Sequence, residues 1–191
     1  PQTLTAEQIL IRSGNIGSVR IGQKLGVEKY KSFLENIGLT KKLQFDIEEI
    51  GKPLPFEWGK CKLATASFGH GITTTALQLS NGYAIISNGG YLVKPTLLLK
   101  NKSNKSENER ILNGNISKEV NTVLRKIVSS KEGTANFANI PGFDVGGKTG
   151  TAQKSINGKY SNKKVNTFVS IFPTSKPKFV LLVLLDEPVA N

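Results

Sequence analysis

Apolar positions recur at intervals of three and four residues through much of the first 130 residues, and beyond residue 144 they gather into short runs. Thr5 with Gln8 three residues on reads as a capping box for a short helix ending at Ile11. A polar break, Arg12-Ser13-Gly14-Asn15, follows. The pattern then predicts a helix over 16–25 stopped by Gly26. A third helix presents Val27, Tyr30, Phe33, Leu34 and Ile37 on one face, with Gly38 beyond its end. Residues 40–62 show mixed charge, Pro53 and Pro55 and no sustained period, so they read as an irregular connection on which Phe56 and Trp58 pack. Ala76 to Ser87 is apolar nearly all round and reads as a buried helix ended by Asn88-Gly89-Gly90.

Tyr91 to Leu99 reads as extended around Pro95, which argues against a central strand. Lys100 to Arg110 is a polar loop tip. An amphipathic helix starts at Ser117 with Val120, Val123, Leu124, Ile127 and Val128 inward. Val145 to Gln153, Val165 to Phe172 and Phe179 to Leu185 then read as three consecutive strands. Asn157-Gly158 supplies a hairpin signal between the first two, and Pro173 to Lys178 the second turn. Helices first and an antiparallel meander last make an α+β order with no internal repeat.

Composition narrows the chemistry. Within 191 residues, 26 Lys+Arg stand against 14 Asp+Glu, for a net charge of +12. Arg occurs only at 12, 20, 110 and 125, and a lysine excess without Arg clusters is a weak sign of nucleic-acid reading. It fits a solvated lysine surface or attraction to an anionic polymer or headgroup. One Cys excludes an internal disulfide and a Cys-based zinc site, and one His argues against a His-ligated metal or a Ser-His-Asp triad. Nucleophilic chemistry here would use Lys as its base. Cys61 reads as structural or simply tolerated, and His70, between glycines, as a loop or packing residue near the cleft without chemistry of its own. No apolar run reaches the roughly 20 residues a spanning helix needs.

One glycine-rich segment admits two readings. Gly142-Phe143-Asp144-Val145-Gly146-Gly147-Lys148-Thr149 matches GxxxxGK[ST] literally. A phosphate loop, however, works between a buried strand and a helix whose N-terminus supplies amide donors. Here Asn139, Pro141 and Gly142 precede it and no helical period follows. As a strand, Gly147 to Thr151 places Lys148 and Gly150 on one face and Thr149 and Thr151 on the other. Cation, hydroxyls and a bare edge at glycine make a receptor for a carboxylate and a peptide backbone. The plain structural reading is a glycine-rich edge strand with an incidental lysine.

Gly147-Lys148-Thr149-Gly150-Thr151-Ala152-Gln153 resembles the KTG strand of penicillin-binding proteins. Ser13-Gly14-Asn15 resembles their SxN motif. Ala64-Thr65-Ala66-Ser67-Phe68-Gly69-His70-Gly71-Ile72, followed by Thr75-Ala76-Leu77-Gln78-Leu79, resembles the connecting segment of class B transpeptidases, with Ala76 where the family usually has Pro. Gly133-Thr134-Ala135 and Pro141-Gly142-Phe143 match the approach to the KTG strand. The Ser-Phe-Gly-His-Gly form resembles the septal, cell-division members. The resemblance implies the α+β penicillin-binding-protein/serine β-lactamase-like transpeptidase fold, incomplete at both ends. Residues 1–191 would be the C-terminal portion of one domain, with an SxN helical half over 1–135 and a KTG meander over 136–191.

The family's nucleophile lies in an SxxK motif at a helix N-terminus before SxN. The two literal matches here, Ser161-Asn162-Lys163-Lys164 in the loop after the KTG strand and Ser175-Lys176-Pro177-Lys178 in a turn, cannot face Lys148 from a helix. The chain alone is therefore expected to be inactive. In a full-length parent the resemblance implies a serine D,D-transpeptidase that cross-links peptidoglycan stem peptides through an acyl-serine and is acylated by β-lactams. It implies that Ser13 relays a proton to the leaving amine, Asn15 binds the substrate amide, and Lys148 supplies positive potential. Thr149 and Thr151 hydroxyls would bind the terminal carboxylate beside Gly150. The Thr151 N–H would form half of an oxyanion hole, worth roughly 3 kcal/mol per donor in acyl transfer. No cofactor or metal is implied. Implied partners are D-Ala-D-Ala stem peptides, β-lactam antibiotics, a membrane glycosyltransferase and other division proteins, and no nucleic acid. The implied location is the periplasmic face of the bacterial inner membrane, held by an anchor outside this chain. Alternatives are a β-lactamase or D,D-carboxypeptidase of the same fold, or a non-catalytic interaction segment.

Overall fold

Thr5 opens the structure as expected: its side chain accepts from the Gln8 N–H while Gln8 reaches back to the Thr5 N–H, capping α1 (Ala6–Ile11). The structure is a computed structural model describing residues 3–48, 50–99, 109–156 and 159–189. After a tight turn at 12–14 come α2 (Asn15–Leu25) and α3 (Val27–Asn36). Between them Gly26 has φ +85°, a conformation that glycine adopts without a Cβ penalty. Asn15 is thus the first residue of α2 rather than part of the polar break.

The connection over 40–59 is irregular as expected, but it ends in a helix that the pattern did not reveal, α4 (Lys60–Ala66). α5 (Ala76–Ser87) has its expected bounds. Its buried side is less apolar than the sequence suggests, since Gln78, Asn81 and Ser87 are buried beside Ile85. Gln78 is satisfied on both ends: its amide nitrogen donates to the Gly38 and Lys41 carbonyls, and its oxygen accepts from the Thr75 N–H. α6 (Gly114–Ser129) starts three residues before Ser117 because the Asn113 side chain caps it. Ser117 is an inward residue, accepting from the Gly89 N–H and donating to the Ile86 carbonyl. Residues 92–99 form no strand, and Tyr91 makes only an isolated bridge to Arg110. Most of the 100–110 loop expectation lies outside the described residues.

β1 (Gly146–Ile156), β2 (Lys159–Phe172) and β3 (Phe179–Asp186) form an antiparallel meander in the order β1-β2-β3. The strands outrun their expected limits. Ser161 to Lys164 therefore lies within β2, not in a loop, because β1 and β2 continue pairing to Ile156↔Lys159. The Asn157-Gly158 hairpin expectation lies outside the described residues.

Two cores hold these elements. Ile11, Leu124, Ile127, Val128, Ala135 and Ile171 join α1 and α6 to the sheet. Leu34, Ile37 and Ile85 join α3 to α5, with Tyr30 and Trp58 packed against them. Each fully buried side chain of this size contributes roughly 1.5–3 kcal/mol. Trp58 meets Tyr30 and Phe56 edge-on, at ring separations of 6.0 and 4.7 Å, so the irregular connection does seat on the helical half. α5 belongs to both cores, through Tyr83 on one side and Ile85 on the other. Tyr83 is half-buried against this core, and the loss of water around its phenol pushes the pKa up to about 12.

Candidate active site

β1 is anchored at its start by α6. A Cβ at Gly146 would lie 2.8 Å from the Arg125 backbone nitrogen and 2.9 Å from the Leu124 carbonyl carbon, so glycine lets helix and strand touch. Arg125 donates to the Val145 carbonyl at 2.8 Å and lies 3.7 Å from Asp144. Asp144 in turn accepts from the Thr174 hydroxyl and from the Ser175 N–H at 2.9 Å. The Thr174 hydroxyl foremost holds the Asp144 carboxyl below its usual range. Strand, helix and the β2–β3 turn are thereby pinned together two residues before Lys148.

Lys148 leaves β1 toward the turn between α1 and α2. Its Nζ donates to Ser13 Oγ at 2.8 Å and to the Thr149 carbonyl at 2.8 Å. Burial lowers its pKa from the ordinary lysine value, since no carboxylate among the described residues offsets the loss of water. Ser13, exposed on the opposite side of this contact, has φ +54°. A serine in the left-handed region is uncommon, and such conformations persist where surrounding structure enforces them. Ser13 N–H and Gly14 N–H bond back to the Leu10 and Ile9 carbonyls, closing the turn. Asn15 lies two residues on, exposed in the first turn of α2, its side chain without a hydrogen-bond partner among the described residues.

Thr149 sits on the other face of β1. Its hydroxyl donates to Thr134 Oγ1 at 2.9 Å. Thr134 comes from the turn after α6; the Gly133-Thr134-Ala135 resemblance pointed to this segment but not to Thr134 as a site residue. Thr151, two residues along on the same face, is exposed. The edge of β1 away from β2 is unpaired by any strand among the described residues. Gly150 lies opposite Thr167 in the sheet, and a Cβ there would come within 2.6 Å of Thr167 Oγ1. Cross-strand packing alone thus accounts for a glycine at this position, whatever approaches the edge.

The structure brings Ser13 and Lys148 together and places Thr149, Gly150 and Thr151 along one strand edge. The His70 ring lies 5.1 Å from that of Phe68 and 6.0 Å from that of Tyr160, which pairs with Ser155 on β1. The phosphate-loop reading fails on geometry: Gly146 to Thr149 is strand, and no helix follows Lys148 among the described residues. The two Ser-x-x-Lys matches lie in β2 and in the β2–β3 turn, neither on a helix.

The family model described as the penicillin binding protein transpeptidase domain matches residues 1–191. The chain is 31% identical over 197 residues to the probable peptidoglycan D,D-transpeptidase FtsI of Caulobacter vibrioides, covering 98% of this chain and 33% of that protein. It is 30% identical to stage V sporulation protein D of Bacillus subtilis, covering 95% of this chain and 30% of that protein. Among solved structures, the apo transpeptidase domain of Burkholderia pseudomallei penicillin-binding protein 3 superposes with a TM-score of 0.91 at 30% identity, covering 97% of this chain and 57% of that one. Penicillin-binding protein 3 of Mycobacterium tuberculosis, solved in complex with ampicillin, superposes at 0.87 and 26% identity, covering 96% and 45%. The chain spans about a third of the length of the curated relatives it matches.

Proposed function

From a chain that belongs to the penicillin-binding protein transpeptidase family, we propose that it forms part of a peptidoglycan D,D-transpeptidase of the cell-division type. Its place in that enzyme is the C-terminal portion of the transpeptidase domain. The observation that carries the reading is the 2.8 Å contact between Lys148 Nζ and Ser13 Oγ beside an open strand edge bearing Thr149 and Thr151.

In the proposed reaction a serine from the rest of the parent protein attacks the peptide bond between the two terminal D-alanines of a stem peptide. The terminal D-alanine leaves and an acyl-serine remains, which an amine of a neighbouring stem then takes over. Ser13, fixed by Lys148, passes a proton to the departing amine. Asn15, whose side-chain amide is unengaged, binds the substrate amide. Lys148 offers a cation to the developing negative charge and to the terminal carboxylate, which the Thr149 and Thr151 hydroxyls receive. The peptide lies along β1 as an added strand, with the Thr151 N–H stabilising the oxyanion. β-Lactams enter as mimics of the D-alanyl-D-alanine end. The chemistry needs no metal or organic cofactor. Its setting is the periplasmic face of the bacterial inner membrane, beside a glycosyltransferase and other division proteins.

A fluorescent penicillin tests this. The parent protein should carry a covalent label through a serine outside these residues and release D-alanine from a stem-peptide analogue, while residues 1–191 alone should stay unlabelled. A labelled 1–191 chain that loses its label on replacing one of its own serines would overturn the assignment of the nucleophile. Binding of ATP or GTP that disappears with Lys148→Ala would restore the phosphate-loop reading.

A further inference from the structure

The turn that carries Ser13 and the turn that leads to Thr134 are joined by a forked ion pair. Arg12 Nε donates to Glu132 Oε2 at 3.0 Å and Arg12 Nη2 to Glu132 Oε1 at 2.7 Å. Such two-point contacts fix orientation as well as distance. Arg12 immediately precedes Ser13, and Glu132 stands two residues before Thr134. A second ion pair, Lys126 to Glu7 at 2.6 Å, runs along the same α1–α6 interface.

The hydrogen bonds that close the Ser13 turn go back to α1 and do not refer to β1. What relates the two is α6. β1 is seated on it through Gly146, and the end of α1 is tied to the loop after it through Arg12 and Glu132. The left-handed backbone of Ser13, φ +54°, is the usual end of a helix, closed by the Ser13 and Gly14 N–H bonds to the Leu10 and Ile9 carbonyls; it ties Ser13 to α1 and leaves its distance from β1 to contacts beyond the turn.

We propose that Arg12 and Glu132 are a positioning pair, whose forked contact holds the Ser13 hydroxyl within reach of Lys148 and Thr134 against Thr149, so that acylation depends on it. The inference rests on the transpeptidase reading. The pair is partly solvated, with side-chain exposures of 32% and 52%. Its loss leaves Ile11, Ile127 and Val128 packed, so folding should feel it little. The reaction should feel it strongly, because small displacements of a reacting group cost large factors in rate.

The test uses the full-length parent with Arg12→Gln, Glu132→Gln, Arg12→Lys and the exchange Arg12→Glu with Glu132→Arg. Stopped-flow acylation by a fluorescent penicillin separates the pre-acylation dissociation constant from the acylation rate constant, with thermal melts run alongside. Each Gln variant should acylate about ten-fold more slowly or worse. The dissociation constant should stay within about two-fold and Tm within about 2 °C, as for a solvated ion pair. The exchange should restore most of the rate. Arg12→Lys should restore only part, since an ammonium cannot fork. Wild-type rates in both Gln variants would overturn the proposal, as would an exchange variant that stays slow or a rate that falls only in step with Tm. A wild-type parent that takes up no penicillin overturns the transpeptidase reading and this inference with it, whereas normal uptake with unaffected variants overturns this inference alone.

Discussion

The two outer strands of the sheet are built from opposite materials. β1 is glycine, threonine and lysine at its centre, and two of its polar side chains already have partners: Lys148 on Ser13, Thr149 on Thr134. β3 carries Phe179, Leu181, Val183 and Leu185 on one face, exposed by 58, 50, 44 and 53%. An edge of small and hydroxyl side chains can stay open to water and receive a peptide. An exposed apolar face of this kind is a surface for further protein, and uncovered it invites association. The same meander thus has one side suited to a ligand and one suited to burial.

The largest effect expected from disturbing this contrast is on β1. Lys148→Ala in the parent should slow acylation about a hundred-fold or more, since it removes the charge proposed to act on the reacting groups. Tm should change little, because Lys148 belongs to neither hydrophobic core and its Nζ is held only by Ser13 and the Thr149 carbonyl. Parallel loss of Tm and rate would make Lys148 a structural lysine. On β3 the effect should be on association instead. Residues 1–191 alone should self-associate in sedimentation, and Leu181→Lys with Val183→Lys should weaken that association about ten-fold. A concentration-independent monomer melt of the unaltered chain would contradict this.

A smaller effect should come from Gly150→Ala, about ten-fold on acylation, through a Cβ at the edge proposed for the substrate. Because that Cβ would also meet Thr167, the variant is best read beside Gly150→Ala with Thr167→Ala. A rate that stays low in the pair places the obstruction at the substrate, and a recovered rate places it within the sheet.

The smallest is a shift along the pH axis. Burial lowers the Lys148 pKa from 10.5. The folded protein therefore binds this proton less tightly than the unfolded chain does. Acylation that needs the cation should fall with rising pH through a midpoint below 10.5, and the guanidinium of Lys148→Arg should carry any remaining activity to higher pH. A basic limb identical in the two proteins would remove Lys148 from that titration.

Local features made α1, α2, α3 and α5 readable: a capping box at Thr5, glycines at 26 and 38, an apolar run before Asn88. The three strands and the α+β order were readable for the same reason, and KTG and SxN drew attention to the residues that meet. α4 escaped because it is seven residues long and buries only Leu63 and Ala66, too little for a period to show. The extent of β2 escaped because Lys159 to Lys164 looks like a solvated loop, and only pairing with β1 makes it a strand. Arg12 on Glu132 is a meeting of residues 120 positions apart, which no local pattern encodes, and the facing of Thr134 with Thr149 and of Thr167 with Gly150 depends on strand register that the apolar pattern does not set.

The central claim is that the open edge of β1 receives the substrate. A crystal structure of the full-length parent acylated by a penicillin tests it most directly. The bound penicillin's carboxylate should lie within hydrogen-bond distance of the Thr149 and Thr151 hydroxyls, with its amide against Asn15 and Ser13 still on Lys148. A penicilloyl group seated away from β1, with Thr149 and Thr151 untouched, would contradict it.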